Sequence, residues 1–324
     1  MVTRRYQRVF VIGAYLPNGG TRMAYHVGRI LQRDFGIPAI AVQVAGETPA
    51  HGIHDYDLVM PQVSLAQMES EIRADDILIV NPSFSSHQFG WRLPGFKLCY
   101  VQGFSTYALL DRGFDHYVAV SGFVRDFLRG VYALDTRVIA PFVELDRLPP
   151  VPAWNARPAS RVLPYRKGLA DVWDLSFARL REIVAARAPH IEFDDVLAGA
   201  DIPQSELFAR IGAARWLLTL SAAEGFGLVP LEAMALGCAV VGYDGFGGRD
   251  YMRPGENCLV APYPDIERIA ESLIAAIADP ARGAALALRA RATASTYTYA
   301  AFRAAWINEL AQALGLDATA QRRC

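Results

Sequence analysis

The feature that most constrains this chain is a series of short segments that are apolar at nearly every position and rich in valine and isoleucine. They are VFVIGAYL (9–16), AIAVQVA (39–45), DILIVN (76–81), KLCYVQG (97–103), HYVAVS (116–121) and TRVIAP (136–141), with stretches of helical periodicity between them. A strand that faces water on one side alternates apolar and polar residues, whereas a strand covered by helices on both sides need not. The rhythm therefore predicts a doubly wound parallel α/β domain over residues 1–145. Prolines crowd the next segment, 146–158, where each fixes φ and discourages helix in the residue before it, so the segment reads as a linker. The rhythm then resumes with RVLPY, IEFDDVL, RWLLTLS, CAVVGYD and NCLVAP, predicting a second α/β domain over 159–295. The helical pattern FRAAWINELAQAL (302–314) lies beyond its last strand, in a segment 296–324 expected to pack back toward the N-terminal domain.

Length agrees with this division, since 324 residues make about two domains at roughly 150 residues each. With 52% hydrophobic and 20% charged residues there is enough apolar material for two cores. The 32 Lys+Arg against 33 Asp+Glu leave a net charge of -1, so no global field favours a polyanion and nucleic acid is not an expected partner. Cys99, Cys238, Cys258 and Cys324 stand far apart, with no C-x-x-C pair and no histidine at metal-ligand spacing. A reducing cytoplasm is the expected compartment. Arg4, Arg5 and Arg8 followed by VFVIGAYL imitate the start of a signal peptide, but no small-residue cleavage site follows, and a first buried strand is the expectation. No apolar run approaches the roughly 18–20 residues that span a bilayer. Arg125 and Arg129 in FVRDFLRGVY offer a basic helical face, the basis for expecting at most a peripheral contact at the inner face of a membrane.

Two α/β domains of this kind form a cleft between the carboxyl ends of their sheets, where open parallel sheets bind ligands. The segment richest in chemistry, TLSAAEGFGLVPLEAMALGCAVVGYDGFGGRDY (219–251), should open into it. A strand ends at Ser221, two glycines permit a turn through Glu224-Gly225-Phe226-Gly227, and Pro230 suits the first position of the following helix. The amides of Gly227, Leu228 and Val229 would then cluster at the positive end of the helix dipole, an arrangement suited to a diphosphate. Glu224 in the loop and Glu232 in the expected first helical turn would bracket that anion and accept hydrogen bonds from hydroxyls on either side. Taken singly, Glu232 also fits a helix-stabilising acid and Glu224 a solvated loop residue.

The string EGFGLVPLEAMALG resembles the E-x7-E signature of retaining glycosyltransferases of the GT-B fold, in the large family 4 group, with Glu224 and Glu232 at the signature positions. DIPQSELFARIGAARWLLTLSAAEGFG before it, CAVVGYDGFGGRDYMRPGENCLVAP after it and the C-terminal YTYAAFRAAW are similar to the same group, so the resemblance covers about 200–310. It implies two Rossmann-like doubly wound domains facing across a cleft. It also implies that Glu224 contacts the donor sugar, that Glu232 contacts the ribose, and that Gly225, Phe226, Gly227, Leu228 and Val229 surround the diphosphate. The family's basic pair, Arg-x5-Lys-Gly, which neutralises the leaving diphosphate, is matched by Arg161 and Lys167-Gly168. Ser160 replaces the usual preceding glycine, and Arg166 adjoins Lys167, so the arginine contact falls to Arg161 or Arg166. Asn18-Gly19-Gly20 resembles the family's strand–Gly-Gly–helix opening, with Gly20 letting backbone approach the donor. NPSFSSHQFG and YVQGFSTY follow strands and offer His87, Gln102 and Ser105 as acceptor or cleft contacts.

No G-x-x-x-x-G-K-[ST], G-x-S-x-G, H-E-x-x-H or strand-linked G-x-G-x-x-G occurs, which argues against a P-loop, a serine-hydrolase elbow, a zincin and a dinucleotide fingerprint. Asp55-Tyr56-Asp57 matches a D-x-D in form only, because the GT-B arrangement offsets leaving-group charge with side-chain cations and amides. The expectation is a nucleotide-sugar-dependent transferase with no metal and no further cofactor. Its expected acceptor is a glycan, a glycolipid or a small molecule, as in cell-surface glycan or glycolipid synthesis. A non-catalytic GT-B protein that binds sugar or nucleotide as a partner subunit is the alternative.

Overall fold

The structure, a computed structural model, describes residues 6–12, 19–43, 60–81, 88–103, 107–198 and 202–316. The chain divides into two compact units, Met1–Pro141 with Tyr299–Cys324, and Phe142–Thr298.

In the first unit, β1 (Val9–Ile12), β2 (Ala39–Gln43), β3 (Gln62–Ser64), β4 (Ile77–Val80), β5 (Phe96–Val101), β6 (His116–Ala119) and β7 (Arg137–Val138) form one parallel sheet. Its order is β3-β2-β1-β4-β5-β6-β7, the doubly wound pattern in which the chain runs outward from β1 in both directions. β1 and β4 are buried at all four positions, which is why their sequences carry no polar alternation. Helices α1 (Gly19–Phe35), α2 (Leu65–Glu71), α3 (Phe89–Arg92) and α4 (Gly122–Tyr132) connect these strands. Ser121 caps α4, its hydroxyl accepting from the Val124 amide at 3.2 Å.

The second unit repeats the architecture with β8 (Arg161–Arg166), β9 (Glu192–Phe193), β10 (Leu197–Ala198), β11 (Trp216–Thr219), β12 (Ala239–Tyr243) and β13 (Leu259–Ala261), again all parallel. Its helices are α5 (Ala170–Arg187), α6 (Gln204–Ala213), α7 (Leu228–Ala235), α8 (Ile266–Ala278) and α9 (Pro280–Ala294). β9 and β10 pair with successive ends of one edge of β8, and β11 pairs with the other edge, giving β10-β8-β11-β12-β13. The chain leaves β8 toward one side of the sheet and returns on the other at β11. That reversal places the topological switch point at the carboxyl ends of β8 and β11.

The last helix, α10 (Tyr299–Leu314), belongs to the first unit. Its buried residues Phe302, Trp306, Glu309, Leu310 and Leu314 recur at helical spacing. Trp306 meets Tyr100 edge to face at 5.0 Å. Glu309, buried among these apolar neighbours, is compensated by His116 Nε2 at 2.7 Å and Arg137 Nε at 3.2 Å.

The proline-rich segment 146–158 lies in the second unit and is tied to it. Trp154 packs edge to face on the fully buried Trp216 at 5.6 Å, and its carbonyl accepts from Arg215 Nε at 2.8 Å. Arg157, buried, donates to the carbonyls of Pro152, Ala214, Leu236 and Gly237 at 2.9–3.2 Å. Two of those carbonyls close the C-terminal end of α7, where a cation also meets the negative end of the helix dipole. Arg157→Ala strands buried acceptors and should cost about 2–3 kcal/mol, read as a lower denaturant midpoint for unfolding.

Candidate active site

The switch point brings the carboxyl ends of β8 and β11 into register, with Tyr165 opposite Thr219. Two residues beyond each partner stand Lys167 and Ser221, and three further on stands Glu224. The chain therefore delivers a cation, a hydroxyl and a carboxylate to one place by topology alone. Lys167 Nζ lies 3.2 Å from Glu224 Oε2, and Ser221 Oγ donates to Glu224 Oε1 at 3.0 Å. Each carboxylate oxygen thus has its own partner. Ser221 is buried, while the Glu224 side chain keeps 17% and the Lys167 side chain 45% of its surface exposed. The negative charge of Glu224, chiefly, raises the Lys167 pKa above its ordinary value, against a smaller opposing effect of burial. Lys167 is therefore an ammonium throughout the neutral range.

The backbone around Glu224 is pinned on its other side by the loop after β12. The Glu224 amide donates to the Gly245 carbonyl at 2.8 Å, and Gly247 N donates to the same carbonyl at 2.8 Å. The second of these bonds closes a γ-turn at Phe246, whose φ of 64° and ψ of -57° have the strained hand for a non-glycine residue. Asp244 holds the strain, accepting from Phe246 N at 2.9 Å and from Arg249 Nε at 2.7 Å. Such strain persists only where surrounding contacts over-determine it, and here those contacts also fix the position of Glu224.

From Glu224 the chain passes through Gly225 and Phe226 to Gly227, whose φ of +83° is a left-handed conformation that glycine adopts without penalty. Gly227 caps α7, which begins at Leu228. The amides of Leu228 and Val229 have no acceptor within the helix, and Pro230 has no amide to offer. Pro230 is the third helical residue rather than the first, because the left-handed cap at Gly227 starts the helix two residues early. Glu232 consequently falls just past the first turn, and it is buried at 2% exposure.

Arg161 is not brought to this cluster. It is the first residue of β8 and pairs with Glu192 at 3.6 Å and Asp194 at 3.4 Å. Five residues of extended strand separate it from Arg166 by about 17 Å, at the opposite end of the sheet from Lys167. Arg166 stands at the carboxyl end beside Lys167, where it pairs with Asp174 at 2.5 Å and lies 6.0 Å from the Trp173 ring. In the first unit, Gln102, just beyond β5, donates from Nε2 to the Gly20 carbonyl at 3.1 Å, joining a candidate cleft residue to the opening of α1. His87, Ser105, Asp55 and Asp57 lie outside the described residues. Among the described residues no three His, Cys, Asp or Glu side chains gather as a metal site, and no helix is long and apolar enough to cross a membrane.

Ser221 and Tyr251 carry contacts to this site that sequence reasoning did not assign. The S-x-x-E spacing is a local signal for the first. For Tyr251, whose hydroxyl reaches the Gly227 carbonyl 24 residues away, there is no local signal.

The family described as Glycosyl transferases group 1 matches residues 196–296, which include β11, the Glu224 turn, α7 and β12. A search of curated protein sequences found no significant match. Among solved structures, Anabaena HepE in complex with UDP and glucose is similar, with a TM-score of 0.71 at 13% identity, over 95% of this chain and 100% of that one. Sucrose-phosphate synthase from Thermosynechococcus elongatus gives 0.67 at 17% identity over 95% and 99%. A TarM variant from S. aureus, in complex with Fondaparinux, alpha-GlcNAc-glycerol and UDP, gives 0.60 at 14% identity. There the match covers 77% of this chain and 57% of the longer TarM chain. The chain thus has the GT-B fold, and the group 1 glycosyltransferase match falls on the part of its second unit that carries Glu224, Gly227 and Glu232.

Proposed function

We propose that this protein transfers a hexose from a nucleotide-diphosphate sugar to an acceptor hydroxyl, with retention at the anomeric carbon and without a metal or other cofactor. The observation that carries the reading is the Lys167–Glu224–Ser221 cluster at the switch point, next to the Gly227 turn, with Ser221 and Glu224 inside the family match. Cleaving the anomeric C–O bond develops positive charge on the sugar and negative charge on the departing diphosphate. The Leu228 and Val229 amides and the Lys167 ammonium are fixed before reaction, so they stabilise that growing negative charge more than the ground state. Glu224, held by Ser221, accepts from sugar hydroxyls, and Glu232 from the ribose. Arg166, at the correct end of β8, replaces Arg161 as the arginine available to the diphosphate.

Attack from the face the diphosphate leaves accounts for retention. The acceptor hydroxyl loses its proton to a leaving phosphate oxygen, so no protein base is required. The acceptor class is a glycan, a glycolipid or a small molecule, and the compartment is the cytoplasm or the inner face of its membrane. Three buried thiols support a reducing environment: Cys99, Cys238 and Cys258 are free, and burial pushes the last two up to about 12.

The test is incubation with a panel of nucleotide sugars, following release of the nucleoside diphosphate with and without EDTA, then NMR of the product's anomeric proton. The expected result is turnover of at least one donor, unaffected by EDTA, with the donor's anomeric configuration kept. Loss on chelation restored by manganese defeats the metal-independent reading. Nucleotide binding without turnover of any donor favours the non-catalytic partner reading.

A further inference from the structure

The contact between Tyr251 and Gly227 has a stereochemical effect on the other side of the same peptide group. Tyr251 is buried at 1% exposure, and its hydroxyl donates to the Gly227 carbonyl at 2.5 Å. Its ring is fixed by Phe226 at 5.1 Å and Tyr297 at 6.0 Å, and its own carbonyl accepts from Asn257 Nδ2 at 2.9 Å. Burial raises the phenol pKa well above its ordinary value, so the hydroxyl keeps its proton and remains a donor. The Gly227–Leu228 peptide is trans, the cis bond among the described residues being Tyr263–Pro264. In a planar trans peptide the carbonyl and the N–H point in opposite directions. A carbonyl drawn toward Tyr251 therefore turns the Leu228 N–H away from it. The same carbonyl, at the N-cap of α7, also accepts the first hydrogen bond of the helix, so the phenol is a second donor that holds a peptide with a glycine on one side.

We propose that Tyr251 is a positioning residue that sets the Gly227–Leu228 peptide so that the Leu228 amide faces the diphosphate of the donor. The inference rests on the proposed function and names a residue outside the E-x7-E segment as part of its phosphate recognition. It accounts for a buried tyrosine hydroxyl placed against one backbone carbonyl. A phenylalanine would pack the same aromatic cluster but leave the carbonyl with the helix bond alone, and the peptide less tightly held.

Tyr251→Phe keeps the ring and removes only the hydroxyl. Calorimetry would first establish which of UDP, GDP, ADP and dTDP binds the wild type, then compare that diphosphate and its parent nucleoside in the variant. The expected result is diphosphate affinity lowered about tenfold, the size of one lost hydrogen bond to a charged group, with nucleoside affinity unchanged. Equal diphosphate affinity in both proteins overturns the role of Tyr251 and leaves the proposed function standing. An equal loss for diphosphate and nucleoside also overturns it, since the hydroxyl then supports the unit in general. A wild type that binds none of the four diphosphates overturns the functional reading and the inference together. Should the variant fail to fold, the wild-type Leu228 amide decides. Its NMR shift should move on adding the diphosphate and not on adding the nucleoside, and an unmoved resonance rejects the proposal.

Discussion

Lys167→Ala should lower kcat by about 10²-fold or more while raising the donor KM much less. Lys167 stands 3.2 Å from Glu224 with its side chain 45% exposed, so a bound diphosphate can share the ammonium without burying it further. Negative charge on that diphosphate grows as the glycosidic bond breaks, and the attraction grows with it. The nearest measured analogy, loss of one donor to an oxyanion, costs about 2.7–4 kcal/mol in the barrier. Folding should be affected much less, because the Lys167 side chain is 45% exposed and Glu224 keeps its bond from Ser221 when Lys167 is removed. Steady-state kinetics and thermal unfolding of the same preparation separate the two effects. A raised KM with kcat intact would mean that Lys167 binds ground and transition states alike. No change in either constant would transfer the leaving-group role to Arg166.

Gly242→Ala should have the largest effect on stability, about 4 kcal/mol or more, and leave little folded protein at 37 °C. A Cβ at residue 242 would lie 1.7 Å from the Thr219 carbonyl oxygen, on the neighbouring strand β11, at a φ of +139°. The obstacle is backbone on a central, fully buried strand, so no rotamer change can relieve it, and overlap of this kind belongs to the small class of very costly substitutions. Expression yield, circular dichroism and a denaturant titration would show it. A native-like variant with an unshifted midpoint would mean that β11 and β12 can separate locally without disturbing the sheet.

These two residues also mark how far the chain could be read without a structure. The parallel sheets were legible because β1, β4, β11 and β12 are buried at every position, and burial on both faces leaves an apolar run that survives in one dimension. The Glu224–Gly227 turn and the helix after it were legible because glycine, proline and acid act on their immediate neighbours. The motif offers Arg161 and Arg166 alike because a spacing counts residues without regard to conformation: the same five steps that close a loop span a whole strand when extended. Gly242 lies unnoticed in CAVVGYD, since a close approach between adjacent strands is recorded only in the register with Thr219. Tyr251 was missed for the same reason at longer range. Position along the chain says little about which side chains will meet a carbonyl 24 residues earlier.

The assignment of α10 to the first unit has a consequence for biosynthesis. The second unit is one continuous stretch, Phe142–Thr298, and can complete itself as it leaves the ribosome. The first unit cannot. Its sheet is made long before Trp306 exists to cover Tyr100, or Glu309 to meet His116 and Arg137. At about 5–20 residues per second, the roughly 160 intervening residues impose a delay of about ten to thirty seconds, during which an apolar face of the older half stays open. The younger half is thus the first to be finished, and the nascent chain must be kept from association through that interval until its last helix docks.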